Sequence, residues 1–114
     1  MGLFASVSSK QVDEFAKELA SGIAKRYPPA LQNRPDRALS VARVSKILED
    51  SFSRAAEFQR THKLGVYKKA RLGNAFRWEM KELGYGERFI ELATEGLIVF
   101  ISRKPTAQKN AAKD

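Results

Sequence analysis

Apolar residues recur at helical spacing near the start of the chain. Between residues 12 and 27 they fall at i, i+3, i+4 and i+7, which would make one side of a helix apolar. Ser8 and Gln11 have the spacing of a capping box, in which each side chain bonds the other residue's backbone N–H. Pro28 ends the pattern, because the residue before a proline is driven out of the helical region. We therefore predict a first helix from about Ser8 to Tyr27. Its inward residues are Val12, Phe15, Ala16, Leu19, Ala20, Ile23, Ala24 and Tyr27.

A proline-rich connector and a second helical pattern follow. Residues 28–39 contain three prolines, and they predict an irregular connector with a short helical turn inside it. Ser40 is a suitable cap for a second helix that reaches about Lys63, and Gly65 is expected to stop it. The expected buried residues are Val41, Val44, Ile47, Leu48, Phe52, Ala55 and Phe58. The pattern also predicts two local ion pairs, Lys46–Asp50 and Arg54–Glu57.

The third pattern, from Val66 to Leu83, has two ordered faces instead of one. The inner face is apolar and consists of Leu72, Phe76, Met80 and Leu83. The other face is aromatic and basic, and its residues are Tyr67, Arg71, Asn74, Trp78 and Lys81. Gly73 lies between them in the sequence. A mid-helix glycine costs about 1 kcal/mol relative to alanine, so we expect a kink or a close helix crossing there.

The stretch from Gly86 to Arg103 is the most apolar part of the chain. On a helix at roughly 100° per residue, only Ile98 among its large apolar residues falls on the polar side. The shared arc consists of Phe89, Ile90, Leu92, Ala93, Leu97, Val99, Phe100 and Ile101. Such a wide arc is typical of a helix that has neighbours on several sides. The alternative is that Gly96 ends the helix and residues 97–102 form a strand, which would need a partner strand, most readily in a second copy.

These patterns together predict an all-α fold, a bundle of four main helices around a central apolar C-terminal helix. The α+β alternative applies if residues 97–102 are extended. The chain of 114 residues is expected to form one helical domain over residues 1–104, followed by a flexible basic tail over residues 105–114. With 43% hydrophobic and 30% charged residues, the composition is that of a folded globular domain.

Charge and cysteine content narrow the classes of function. The formal net charge is +8, which favours polyanionic partners such as nucleic acid. There are no cysteines, so disulfides and thiolate metal sites are excluded, and a cytoplasmic location is expected. The longest unbroken apolar run, residues 97–101, is far shorter than the ~20 residues of a spanning helix, so no membrane association is expected.

Candidate residues for catalysis or for cofactor binding are few. His62 is the only histidine and has no identifiable partner. Glu87, Glu91 and Glu95 share one helical face, but they lack the histidine or facing carboxylates of helical metal sites. They are expected to be solvated, or to pair with the basic third helix of another copy. The glycines match neither nucleotide-binding loop pattern. We therefore expect no catalytic, metal or cofactor site, and a protein that is not an enzyme.

The basic and aromatic face of the third helix is the best candidate for a binding site. Lysine and arginine neutralise phosphates, and exposed aromatic rings stack on unpaired bases. The sequence therefore predicts nucleic-acid contacts by Tyr67, Lys68, Lys69, Arg71, Arg77, Trp78 and Lys81. The structural alternative is that Tyr67 and Trp78 are buried against the first helix, with the cations around them.

Two other functions stay open at this stage. The apolar surplus around residues 97–101 could be covered by a partner, which would make the chain a protein–protein adaptor or a homodimer. An enzyme with an unrecognised site is a distant third possibility. Exposure of Trp78 would favour nucleic-acid binding over the structural alternative.

Overall fold

The first helix begins where the capping box predicts. In the computed structural model, which describes residues 7–103, the Ser8 hydroxyl accepts a hydrogen bond from the Gln11 N–H at 3.1 Å. The Gln11 side chain accepts one from the Ser8 N–H at 2.9 Å. The four α-helices are α1 (Ser9–Arg26), α2 (Val41–His62), α3 (Val66–Leu83) and α4 (Glu87–Ser102). Two short 3₁₀ turns, Pro29–Asn33 and Pro35–Arg37, lie in the connector, where one short helical turn was expected.

The all-α prediction is confirmed. No strand occurs within residues 7–103, and residues 97–102 belong to α4, so the α+β alternative is wrong. The predicted tail, residues 105–114, lies outside the described residues. Over the described part of the chain, no helix is long and apolar enough to span a membrane.

The corner between α2 and α3 differs from the prediction. Ser40 caps α2 as expected, because its hydroxyl accepts a hydrogen bond from the Arg43 N–H at 3.1 Å. The last helical residue is His62, and the C-cap residue Lys63 adopts the left-handed conformation with φ of 50°. Gly65, which we expected to stop α2, instead has an extended φ of −80° and is the N-cap of α3. The left-handed turn therefore comes earlier in the chain than a glycine rule predicts.

The four helices pack pairwise around one core. α1 packs mainly on α3, α4 packs on both α2 and α3, and α1 also contacts α2. The largest side chains with almost no exposure are Phe76, Leu19, Ile23, Leu72, Met80, Leu97, Ile101 and Val12. They come from α1, α3 and α4, so burial of apolar area between these helices is the main stabilising term.

Two glycines allow α4 to approach its neighbours closely. A Cβ atom on Gly73 of α3 would lie 2.7 Å from Cδ1 of Ile98, so a close crossing, one of the two expectations, exists there. A Cβ atom on Gly96 of α4 would lie 2.6 Å from Cε2 of Phe52 in α2. Both distances are far shorter than an ordinary carbon–carbon contact. Glycine is therefore what lets the helices meet at these two points.

The buried face of α4 is narrower than the sequence predicts. Its buried residues are Ile90, Ala93, Thr94, Leu97 and Ile101. Leu92 and Val99 were expected inside, but they are 59% and 52% exposed. Ile98 was placed among polar residues, but it packs against the core. The reason is that the main partners of α4, helices α2 and α3, cover only part of its circumference.

Two further apolar residues are more exposed than predicted. Val41, expected on the inner side of α2, is 83% exposed, because it lies in the first turn of the helix. Leu83, expected on the inner face of α3, is 39% exposed and is the last residue of that helix. Each residue has the correct helical phase but lies at a helix end, beyond the reach of the neighbouring helices.

Hydrogen bonds fasten the end of α1 and the first 3₁₀ turn of the connector to the turn between α3 and α4. The Tyr85 hydroxyl donates to the backbone carbonyl of Tyr27, and the Gln32 side chain accepts from the Gly86 N–H at 2.8 Å. Burial of the Tyr85 phenol, and secondarily its proximity to Tyr27, raises the pKa of Tyr85 to about 12. The ring of Phe89 meets Tyr27 edge-on at 5.3 Å.

One of the two predicted local ion pairs is present. Lys46 lies 3.1 Å from Asp50, which also binds Arg26 of α1 at 2.8 Å. The hydrogen bond from Arg26, followed by that from Lys46, lowers the pKa of Asp50. The prediction of an Arg54–Glu57 pair is wrong. Arg54 pairs with Glu18 of α1 instead, and Glu57 pairs with Arg60.

Candidate nucleic-acid interface on the third helix

Helix α3 carries the aromatic and basic face that the sequence predicts. Its opposite side, formed by Leu72, Gly73, Phe76 and Met80, is buried in the core. The remaining stripe follows one side of the helix because its spacings of four and three match the period of 3.6 residues. Its members are Tyr67, Arg71, Asn74, Trp78 and Lys81.

The two aromatic rings of this face are accessible to solvent. Trp78 is 59% exposed and Tyr67 is 66% exposed. The structural alternative, in which both rings are buried against α1, is therefore wrong. Helix α1 does pack on α3, but the α3 residues that are buried there belong to its apolar side.

Arg71 is held by a carboxylate from another helix. Its Nε donates to Oδ1 of Asp13 at 2.9 Å, and its Nη2 donates to Oδ2 of Asp13 at 2.9 Å. Nη1 donates to the hydroxyl of Tyr67 at 3.3 Å. The hydrogen bonds to Asp13, followed by that to Tyr67, raise the pKa of Arg71 further above its usual range. The guanidinium is thus fixed and largely neutralised, and a phosphate would have to compete with Asp13 for it.

Arg77 is also paired with a carboxylate of another helix, but through a single hydrogen bond. Its Nη1 lies 2.7 Å from Oε2 of Glu91 in α4, with about half of each side chain exposed. The acidic face of α4 was expected to be solvated or to bind a second copy, whereas one of its members, Glu91, binds α3 of the same chain. Both arginines of the candidate interface therefore connect helices.

The lysines of the candidate interface are not paired in this way. Within residues 7–103, no carboxylate lies within 4.0 Å of the amino groups of Lys68, Lys69 or Lys81. Lys81 is exposed, and Lys68 and Lys69 are half-buried. The positive charge that is available to a polyanion on this helix is therefore supplied mainly by lysine.

An open groove runs along the exposed stripe. Its volume is about 440 Å³, and it is lined by Asp13, Tyr67, Ala70, Arg71, Asn74, Ala75, Trp78 and Glu79. It combines two aromatic rings, one amide, two carboxylates and one paired guanidinium. The structure brings four of the stripe residues together here, whereas Lys68, Lys69, Arg77 and Lys81 lie outside the groove.

Sequence reasoning missed the acidic members of this groove. Asp13 is separated from Arg71 by 58 positions, so no local spacing rule connects them. Glu79 follows Trp78 directly and lines the same groove, although it does not belong to the predicted stripe. Groups of three histidine, cysteine or acidic side chains that could hold a metal ion are absent from the part of the chain that the structure describes.

Comparisons with known protein families, with curated proteins and with solved structures found no match for this chain. Its function has to be inferred from its own side chains.

Proposed function

We propose that this protein binds single-stranded nucleic acid through the exposed face of α3 and has no enzymatic role. The observation that carries the proposal is the exposed indole of Trp78, on a helix whose lysines Lys68, Lys69 and Lys81 have no acidic partner within residues 7–103. Exposure of the apolar indole to water is unfavourable, so a ligand that covers the ring is stabilised by burying it. An unpaired base offers a flat surface of the right size. A cytoplasmic location belongs to the same proposal.

The side chains divide the binding work between them. Trp78 and Tyr67 provide stacking surfaces, and each stacked base contributes about 1–3 kcal/mol. Lys68, Lys69 and Lys81 provide charge for the phosphates. Trp78 and Tyr67 are eleven positions apart, which is about 16 Å along the helix, so they would stack on bases that are not neighbours in the strand.

A single strand fits this face better than a duplex does. A ring can stack only on a base whose face is uncovered, and in a duplex the bases cover each other. Arg71 and Arg77 are already paired with Asp13 and Glu91, so neither arginine is available to a duplex backbone without breaking an ion pair.

Trp78 itself provides the test, because it is the only tryptophan. We expect mixed-sequence single-stranded RNA or DNA, titrated at low salt, to quench its fluorescence. With three lysine contacts, the logarithm of the binding constant should fall with the logarithm of salt concentration with a slope of about −2. A flat titration with both nucleic acids at low salt would refute the proposal.

A matched pair of variants separates stacking from general surface effects. Trp78→Ala should weaken the binding of a labelled oligonucleotide, followed by anisotropy, about 5- to 150-fold, the equivalent of 1–3 kcal/mol. Leu92→Ala is the control, because Leu92 is equally exposed, at 59%, but lies on α4. Equal affinities for the two variants would show that binding does not use the α3 face.

A second candidate function is supported by the exposed apolar residues of α4. Leu92 and Val99 lie two turns apart on one side of the helix, and their exposure would favour a protein partner or a second copy. Analytical ultracentrifugation tests the homodimer directly. A strict monomer at high concentration, unchanged by Leu92→Gln, would count against self-association.

A further inference from the structure

We propose that the groove beside Trp78 selects unpaired bases that carry an exocyclic amino group, and that adenine fits it best. This inference rests on the proposed binding of single strands and names the base that the site prefers. It comes from the hydrogen-bonding groups of the groove, which differ from those of the surrounding lysines.

The groove is unsuited to a phosphate. It contains one guanidinium, that of Arg71, and two carboxylates, those of Asp13 and Glu79. Since Asp13 already engages Arg71 through two hydrogen bonds of 2.9 Å, no unpaired positive charge lines the groove. The phosphates of a bound strand would therefore lie outside it, toward Lys81 and the lysines at the start of α3, and the base would point inward.

The carboxylates favour a base that donates hydrogen bonds. A carboxylate only accepts hydrogen bonds, and each oxygen of Asp13 has a second lone pair beyond the one used by Arg71. Adenine, cytosine and guanine all present an amino group to such an acceptor, and guanine adds its ring N–H. Guanine differs from adenine at the edge that carries N7, where it has the acceptor O6 instead of an amino group. Uracil and thymine present two carbonyl oxygens and a single ring N–H. Their carbonyl oxygens are partly negative, so the carboxylates of Asp13 and Glu79 would repel them.

Asn74 makes adenine the best fit. Its side chain is exposed in the groove and makes no side-chain hydrogen bond within the described residues. Trp78 is four positions further along α3, and helical side chains lean toward the N-terminus, so the indole covers the turn that carries Asn74. A base stacked on the indole would therefore present its edge to the Asn74 amide. That amide can bond adenine through N6 and N7 at the same time.

The test compares oligonucleotides of equal length that contain only adenine, only cytosine or only uracil, and it compares guanosine monophosphate with adenosine monophosphate. Tighter binding of guanosine monophosphate would overturn the preference for adenine. We expect adenine to bind about tenfold more tightly than uracil, which is within the usual range for one bidentate contact. Asn74→Ala should reduce this ratio several-fold, because the bidentate contact to adenine is lost. Asn33→Ala is the matched control, because Asn33 is an exposed asparagine in the connector and should leave the ratio unchanged.

Adenosine and uridine monophosphate distinguish a base within a strand from a free nucleotide. Quenching of Trp78 by adenosine monophosphate alone would identify a site for free nucleotides, and quenching only by oligomers would identify a strand site that needs the lysines. Either result supports a base-selective groove only together with tighter binding of adenine than of uracil. Uracil binding as tightly as adenine, or a ratio that Asn74→Ala does not change, overturns the inference. Failure of the proposed function is a different result, in which none of the oligonucleotides binds.

Discussion

The contact between Gly96 of α4 and Phe52 of α2 determines how closely these two helices can approach. A Cβ atom at position 96 would lie 2.6 Å from Cε2 and 3.2 Å from Cζ of Phe52. Phe52 is 4% exposed, and its ring also packs against Phe100, with 5.4 Å between ring centroids. The ring therefore has little room to move away, and Gly96→Ala should force the helices apart.

The expected loss of stability is the difference between two opposing effects. Replacing a glycine inside a helix by alanine stabilises the helix by about 1 kcal/mol. Forcing an extra carbon into a packed core costs about 1–3 kcal/mol, and the overlap here is close to 1 Å measured against an ordinary contact. We expect Gly96→Ala to lower the free energy of unfolding by about 1 kcal/mol.

Gly22→Ala is the matched control for this substitution. Gly22 lies inside α1, and a Cβ atom there would have no neighbouring atom within 4 Å, so only the stabilising effect remains. The free energies of unfolding of the two variants should differ by about 2 kcal/mol, which corresponds to about 8–16 °C in melting temperature. Circular dichroism at the helical band measures this difference. Equal stabilisation by both substitutions would refute the close crossing. In a Phe52→Leu background, Gly96→Ala should lose most of its destabilising effect.

Three further predictions follow from polar contacts. Asp13→Asn releases Arg71 for a phosphate. The plot of the logarithm of the oligonucleotide binding constant against the logarithm of salt concentration should therefore steepen by about 0.7. The controls are Glu14→Gln, and Asp13→Asn in an Arg71→Gln background, and neither should show this change. Tyr85→Phe should lower the free energy of unfolding by about 1 kcal/mol at neutral pH. The pKa of Tyr85 is raised from 10.0 to about 12, so between these pH values the folded state retains a proton that the unfolded state loses. As the pH rises through this range, the free energy of unfolding should fall more steeply for the wild type than for Tyr85→Phe. The pKa of Asp50 is lowered from 3.8 in the folded state, so its contribution to stability should be present at neutral pH and lost as the pH falls below 3.8. When the free energy of unfolding is measured at decreasing pH, it should fall less for Asp50→Asn than for the wild type.

The helices could be predicted from the sequence because their determinants are local. The signals that specify helix boundaries lie within a few positions of those boundaries. They are the Ser8 capping box, Pro28, the Ser40 cap and the glycines around Tyr85. Periodicity also placed the buried and exposed sides of α3 correctly, apart from its last residue. These features require no knowledge of the neighbouring helices.

The side of a helix that its neighbours leave open could not be predicted in the same way. Leu92, Val99 and Ile98 are all apolar, and composition alone cannot show that α2 and α3 meet α4 along the line that contains Ile98. Gly73 helps to select that line because it makes room for Ile98. The burial of each residue therefore depends on the pairing of helices that are distant in sequence.

The candidate interface was predicted in part. Spacing identified Tyr67, Asn74 and Trp78 as one face, and the structure leaves both rings exposed. Spacing could not show that Arg71 is held by Asp13, because this ion pair depends on how α1 packs on α3. For the same reason, the division between paired arginines and lysines without an acidic partner could be found only from the three-dimensional structure.

Lys63, the left-handed residue at the corner between α2 and α3, has a consequence for how this corner tolerates substitution. A non-glycine residue there loses about 1–2 kcal/mol to backbone strain, whereas a glycine would lose only about 0.4–1 kcal/mol through its more flexible unfolded chain. Lysine at this position therefore costs up to about 1 kcal/mol relative to glycine. The corner keeps a cationic side chain, next to the basic start of α3, at the expense of that much stability.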